Sequence, residues 1–450
     1  MNPRSLIAAA ILSGQALPAA DRPNIVLIMA DDMGYENLSC HGSKLNGTPH
    51  LDRLAAGGMR FDNAHSQPLC TPSRVQIMTG IDNNRNYVRF GLLDPEATTF
   101  ANILRDSGYE TCIAGKWQLE GGYDAPRKFG FDRYCLWQLN RRPSRYPNPG
   151  FEIDGKQVDF RNGEFGPDIV TDYICDFIEA KKDSGKPFLV YYPMMLPHYP
   201  FVPTPDSPDW DPDMWKDERD EPGGYHDQKH WKGFVSYTDK MVGKLVAKLD
   251  EAGIRENTLV VFTADNGTLP TIRQEFNGRV VRGAKGSTID DGTHVPFIAS
   301  WPGTIKPGQV AKDLVSFTDV LPTLCEAASA PIPEKPGIDG SSILPLLKGE
   351  AYNPRPDMYC WYERSGARNK ASQHMRTDRY KLYQSGKFYD TFADPLEESD
   401  LTSADLPENL KPIHAELKAA LDRRAKETER FDTIQKARQN RLQAPGKKRK

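Results

Sequence analysis

NIVLIMA, residues 24–30, is an unbroken apolar run that stops at Asp31-Asp32. A strand wetted on one face alternates apolar with polar residues, so a run without alternation belongs to a strand covered on both faces. TLVVFTA, residues 258–264, repeats the pattern and stops at Asp265-Asn266-Gly267. KPFLVYY, 186–192, is a third such run, with His198 beyond its end, and ETCIAG, 110–115, is a weaker fourth that Lys116 follows. Helical periodicity fills 98–106, 167–182 and 225–251. This alternation predicts an α/β fold built on a large, mostly parallel sheet flanked by helices, and such sheets gather their ligand sites at the carboxyl ends of the strands. The acidic residues, the lysine and the histidine all fall there.

The chain of 450 residues, 38% hydrophobic and 26% charged, has the composition of a globular protein of one or two domains. Its formal net charge of -3 gives no basic field for a nucleic acid. Arg4, the short apolar run 6–12 and the small residues Ala19 and Ala20 have the layout of a secretory signal over 1–20, which implies export to the periplasm or beyond. No other apolar stretch approaches the ~20 residues of a membrane span. Texture changes at IPEKP, 332–336, dividing the remainder into a catalytic domain, 21–335, and a smaller C-terminal α+β subdomain, 336–450. In the latter MYCWYE, YKLYQSG and KFYDTF read as antiparallel strands, followed by a charged helix from about 407 to 440. The seven cysteines are scattered and form no C-x-x-C, so neither a disulfide framework nor a zinc site is indicated.

Each polar clue is weak alone. An Asp pair after a strand is more often turn chemistry, Asp-Asn-Gly is a turn signature, a lysine at a strand end is usually a solvated cap, and His198 would pass as a loop histidine. Their convergence on one sheet edge is what raises them. Asp31, Asp32, Asp265 and Asn266 offer only oxygen, which suits a hard cation, Ca²⁺ before Mg²⁺, and not zinc.

RPNIVLIMADDMGYENLSCHG, CTPSRVQIMTG, TCIAGKWQL, PHYPF, VVFTADNGT, RGAKGSTIDDGTHVPFIASWPG and RTDRYKLY occur in that order along nearly the whole mature chain. In this the sequence resembles the type I, arylsulfatase-like sulfatases of the alkaline phosphatase superfamily. The resemblance implies that a formylglycine-generating enzyme oxidises Cys70 to Cα-formylglycine, whose hydrate carries two hydroxyls on one carbon. One attacks the sulfur of a sulfate ester, and the second then expels sulfate, a step no serine could make. It further implies that Asp31, Asp32, Asp265, Asn266 and residue 70 hold Ca²⁺, that Arg74 braces the formylglycine, that Lys116 and Lys285 clamp sulfate, and that His198 protonates the leaving oxygen.

One position departs from the pattern. Gly115-Lys116-Trp117-Gln118-Leu119-Glu120 has Gln118 where G-K-W-H-L-G sulfatases carry a histidine. Glutamine can orient the hydrate by hydrogen bonding but cannot act as a base, which leaves Glu120 or a water held by Gln118 to take the proton. The expected substrate is a sulfated carbohydrate or a simpler aryl sulfate, with the aromatic and arginine-rich segments 85–91, 133–146 and 209–215 as pocket walls. Two rivals remain at this level. A phosphatase or phosphonate hydrolase of the same fold would need further Asp and His ligands, and none of the nine histidines stands beside the acidic clusters in sequence. A glycan-binding protein that has lost turnover would show no activity on an aryl sulfate.

Overall fold

The computed structural model describes residues 22–44, 47–218, 220–221, 228–335, 337–403 and 405–443. The expected signal over 1–20 lies outside the described residues. The large sheet has ten strands: β1 (Asn24–Ala30), β2 (Met59–Phe61), β3 (Glu110–Lys116), β4 (Arg133–Trp137), β5 (Gly150–Ile153), β6 (Lys156–Asp159), β7 (Phe188–Pro193), β8 (Thr258–Ala264), β9 (Phe297–Ser300) and β10 (Gln309–Ala311). Their spatial order is β10-β2-β9-β8-β1-β7-β3-β4-β5-β6. The central block β8-β1-β7-β3-β4 is parallel throughout, with Val26 opposite Val190 on one side and Val260 on the other. Both flanks turn antiparallel, at β9 against β8 and β2 and at β5 and β6. The sheet is therefore mixed, parallel where it is central.

All seven residues of β1 and of β8 are buried, as a doubly covered strand requires. Each such Ile, Val or Leu contributes about 1.5–3 kcal/mol of transfer free energy. The cover comes from two groups of helices. Pro49–Ala56, Gly166–Lys181 and Trp231–Glu251 pack together, and Cys70–Thr79, Phe100–Asp106 and Val320–Ala327 form the other group. The helix Cys70–Thr79 is buried along its whole length, arginine included.

A separate four-stranded antiparallel sheet follows, β11 (Met358–Tyr362), β12 (Ser372–Arg376), β13 (Tyr380–Tyr383) and β14 (Phe388–Asp390), paired in sequence order. The helix Lys411–Gln443 packs against it. Buried ion pairs tie this unit to the large one: Asp290 accepts from Arg376 Nη1 at 2.8 Å and from Lys381 Nζ at 3.0 Å. No helix among the described residues is long and apolar enough to cross a membrane.

Candidate active site

Parallel strands that end together bring their following residues together. Asp31 and Asp32 follow β1, Asp265 and Asn266 follow β8, Lys116 closes β3, and His198 comes five residues after β7. Asp32 N–H donates to Asp265 Oδ1 at 3.1 Å, and Asn266 Nδ2 to Asp32 Oδ1 at 2.9 Å. The helix Cys70–Thr79 enters at its first residue, and Gly286 N–H, donating 2.7 Å to Pro68 O, pins the Lys285 loop to the segment leading into Cys70. Two glycines permit this crowding. A methyl at Gly115 would overlap the Pro193 carbonyl of β7, and one at Gly267 the Asp291 carbonyl.

Charges alternate across the site. Lys116 Nζ lies 2.6 Å from Asp31 Oδ2, Lys285 Nζ 2.5 Å from Asp32 Oδ2, and Arg74 Nη2 3.1 Å from Asp265 Oδ2. Arg74 also donates from Nη1 to Lys116 O at 2.9 Å, joining the helix to the end of β3. Burial, aided by the Asp31 charge, raises Asp32 and Asp265 above the carboxylate range. Asp31 is equally buried, yet the cations Lys116, Arg74 and Lys285 hold it below that range. Burial likewise pushes the Cys70 thiol up, against the pull of Lys116 and Lys285.

The donor set fits a hard cation. Asp31 Oδ1 and Asn266 Oδ1 are buried with no hydrogen-bond partner, and an orphaned buried oxygen costs about 1–3 kcal/mol unless something satisfies it. Ligand atoms of Asp31, Cys70 and Asp265 lie within 4.8 Å of one another, and so do those of Asp31, Asp32 and His198. Two carboxylates raised by burial, with the Asp31 charge adding to it, and two oxygens without donors both call for added positive charge. The histidine missing beside the acidic clusters in sequence is supplied in space, because His198 Nε2 stands 3.6 Å from Asp32 Oδ2. Both groups share Asp31, so among the described residues they make one centre.

Sequence reasoning passed over Arg145. Its guanidinium spans Glu221 at 2.6 Å through both Nε and Nη2, stacks 3.8 Å over Trp137, and reaches His198 Nδ1 with Nη1 at 3.2 Å. With the Tyr199 carbonyl 2.5 Å from the same nitrogen and Tyr146 Oη donating to His198 O at 2.5 Å, the imidazole is fixed in orientation. Burial first and the Lys285 charge second hold it neutral. Only the RRPSRY stretch hinted at this arginine.

Gln118 takes a left-handed backbone, φ 56°, and its buried Oε1 has no partner. Glu120 is not free to serve as a base: Arg89 grips both its oxygens, at 2.7 and 2.9 Å, on the half-exposed rim. A cavity of about 250 Å³ opens over Cys70, Lys116, Gln118, His198 and Lys285. Segments 85–91 and 133–146 supply its wall through Phe90, Gln138, Arg142 and Arg145. Segment 209–215 does not. Trp210 packs edge-on to Phe165 at 5.4 Å and Trp215 is buried, so its aromatic residues serve the core.

Comparison with known proteins agrees with this geometry. Residues 23–330 match the sulfatase family model, and residues 285–427 match the model described as N-sulphoglucosamine sulphohydrolase, C-terminal. The chain is 33% identical to arylsulfatase A of Homo sapiens, over 90% of this chain and 83% of that protein. It is 26% identical to N-acetylglucosamine-6-O-sulfatase of Bacteroides thetaiotaomicron, over 89% and 87%. The solved structure of Ps i-CgsB in complex with k-i-k-neocarrahexaose superposes with a TM-score of 0.77 at 25% identity, covering 95% of this chain and 98% of that one. A family match over most of the chain, joined to a relative 33% identical along nearly all of it, decides the matter: the chain belongs to the sulfatase family and is a sulfuric ester hydrolase.

Proposed function

We propose that this sulfatase removes sulfate from a carbohydrate, using Cα-formylglycine made from Cys70 by a formylglycine-generating enzyme and Ca²⁺ held by Asp31, Asp32, Asp265, Asn266 and residue 70. The observation that carries the reading is the meeting of Cys70 with Lys116 and Lys285 at one cavity, the two lysines paired to the buried carboxylates Asp31 and Asp32, while Asp31 Oδ1 and Asn266 Oδ1 lack partners. When present, the cation supplies Lewis acidity toward a sulfate oxygen and acidity to a hydroxyl on residue 70. The hydrated aldehyde supplies a nucleophile with a second hydroxyl for release of sulfate.

The chain's own groups then have separable tasks. Lys116 and Lys285, seated at Asp31 and Asp32, are placed to meet the charge of the sulfate oxygens. Arg74 fixes Asp265 and the start of the helix that carries residue 70. His198, its Nδ1 turned to the Tyr199 carbonyl, directs Nε2 at the leaving oxygen; neutral in the free protein, it takes up the proton it delivers once the charge of a bound sulfate offsets the nearby lysines. Gln118 orients the reacting group by hydrogen bonding, and since Glu120 is held by Arg89 the remaining proton leaves through water.

A carbohydrate is favoured because the cavity continues into a wider cleft walled by Phe90, Gln138 and Arg142. The names of the Bacteroides relative and of the neocarrahexaose complex point the same way. The catalytic domain is placed at 21–335 and the C-terminal subdomain at 336–450, and the N-terminal layout supports export.

Mass spectrometry of the tryptic peptide ending at Arg74 tests the modification, with the aldehyde expected in protein from a host that makes the generating enzyme. An active preparation carrying only thiol at residue 70 defeats the reading. Chelation should abolish turnover of an aryl sulfate and lower the melting temperature, with Ca²⁺ restoring both.

A further inference from the structure

The cleft above the candidate site holds more positive charge than one sulfate ester needs. Its inner cavity shares Phe90, Gln118, Gln138 and Arg142 with an adjoining cavity of about 520 Å³, so the reaction centre opens outward past these side chains. Most cations along the way are already matched. Lys116 and Lys285 sit on Asp31 and Asp32, Arg145 on Glu221, Arg89 on Glu120, and Arg141 on Glu152 and Asp159.

Two guanidinium groups remain. Arg364 lines the inner cavity from the C-terminal unit, makes no ion pair among the described residues, and lies 5.1 Å over the Phe90 ring. Arg142 is 3.8 Å from Glu221, whose two oxygens Arg145 already occupies at 2.6 Å, and its side chain is 55% exposed. Neither arginine is a loose tail. The Arg364 carbonyl accepts from Phe90 N–H at 3.1 Å and from Tyr87 Oη at 2.7 Å, and the Arg142 carbonyl from Glu221 N–H at 3.1 Å. Their backbones are thus pinned at the cleft, and neither charge has a carboxylate of its own among the described residues: Arg142 has only a long contact to a glutamate that Arg145 already occupies, and Arg364 only an aromatic ring.

We infer that Arg142 and Arg364 bind a second anionic group of the substrate, placing its preferred ligands among carbohydrates that carry another sulfate or a carboxylate near the ester to be cleaved. The inference rests on the carbohydrate reading of the site and narrows it. An arginine fork matches sulfate and carboxylate alike, and a partly desolvated cleft wall strengthens the contact beyond that of a fully solvated arginine.

Equilibrium binding to the Cys70→Ala protein, which separates recognition from turnover, tests this with three probes. Glucosamine 6-sulfate carries one anion. Glucosamine 2-N,6-O-disulfate adds a second sulfate on the same ring, and a 6-sulfated hexosamine joined to a uronate adds a carboxylate on the next ring. At least one two-anion probe should bind about 10- to 100-fold more tightly than the monosulfate, and which one does so tells sulfate from carboxylate. That advantage should fall toward one in Arg142→Ala and Arg364→Ala and survive in part in Arg142→Lys, which keeps charge but not the fork. Equal binding of all three probes, or an advantage undiminished in the double alanine variant, overturns the inference. Hydrolysis of 4-nitrophenyl sulfate by the unsubstituted protein is read alongside. Absence of turnover with the binding preference intact would defeat the catalytic role of residue 70 and leave the second anion site standing.

Discussion

Gln118 and Glu36 show how much a single side chain can carry at this sheet edge. Gln118 presents a buried oxygen without a partner to the cavity, so its contribution should appear where charge moves and not where the ester first docks. Gln118→Ala is expected to lower kcat by about 10-fold or more with a smaller rise in KM, measured on a chromogenic sulfate. A change confined to KM would reduce Gln118 to a binding contact. Glu36 lies four residues past Asp32, fully buried, accepting from Thr268 Oγ1 at 2.5 Å through one oxygen while the other has no partner. Burial lifts its pKa from 4.5 to about 7. The folded protein then binds a proton that the unfolded chain has released, so this group favours folding below about pH 4.5 and that advantage is lost as pH rises to about 7. Glu36→Gln should raise the melting temperature at pH 8 and change it little at pH 5, and equal shifts at both would exclude the linkage.

At the scale of elements, what sequence can show is set by how locally an element earns its place. β1, β7, β8 and β3 announce themselves because burial on both faces demands unbroken apolar runs, and their carboxyl ends locate Asp31, Asp32, Asp265, Asn266, Lys116 and His198. β12 does not. Its SQHMR buries Gln373, His374 and Arg376, residues made acceptable only by partners brought from far along the chain. The same distance hides Arg364 and Arg145, whose neighbours at the cleft come from other elements. Gly115 marks the junction between local pattern and tertiary demand. It holds φ 129° inside β3, where a methyl would overlap the Pro193 carbonyl, and Lys116 follows it directly. Alanine there must strain the backbone and push β3 off β7. Gly115→Ala should cost about 2–4 kcal/mol by denaturant unfolding and lower turnover as well, because Lys116 moves with the displaced strand end. Wild-type stability in this variant would show that the strand pair tolerates the intrusion.

Across the whole molecule, two units meet over a buried charge cluster, and the cluster decides whether they behave as one. Asp290 belongs to the large unit and is buried between Arg376 of β12 and Lys381 of β13, with Lys381 also 2.5 Å from Glu397. Burial alone would raise the Asp290 carboxyl, but the two cations hold it well below the ordinary range. Such a group supports folding above the unfolded carboxylate pKa of about 3.9, and the support is lost as pH falls through its lower folded value. Asp290→Asn leaves two buried cations facing one glutamate, a loss of about 3–5 kcal/mol by analogy with other broken buried pairs. Because the deficit falls on the contact between units and not within either core, it should appear first as weakened hydrogen-exchange protection over 358–390, before the strands of the large sheet open. Arg364 reaches the cleft from this same C-terminal unit, so loosening the unit should also erode binding of substrates with two anions while the lysines and carboxylates at Cys70 stay in register. A single cooperative loss of protection in both sheets at once would mean that the cluster fastens a common core, and that the smaller sheet has no docking equilibrium of its own.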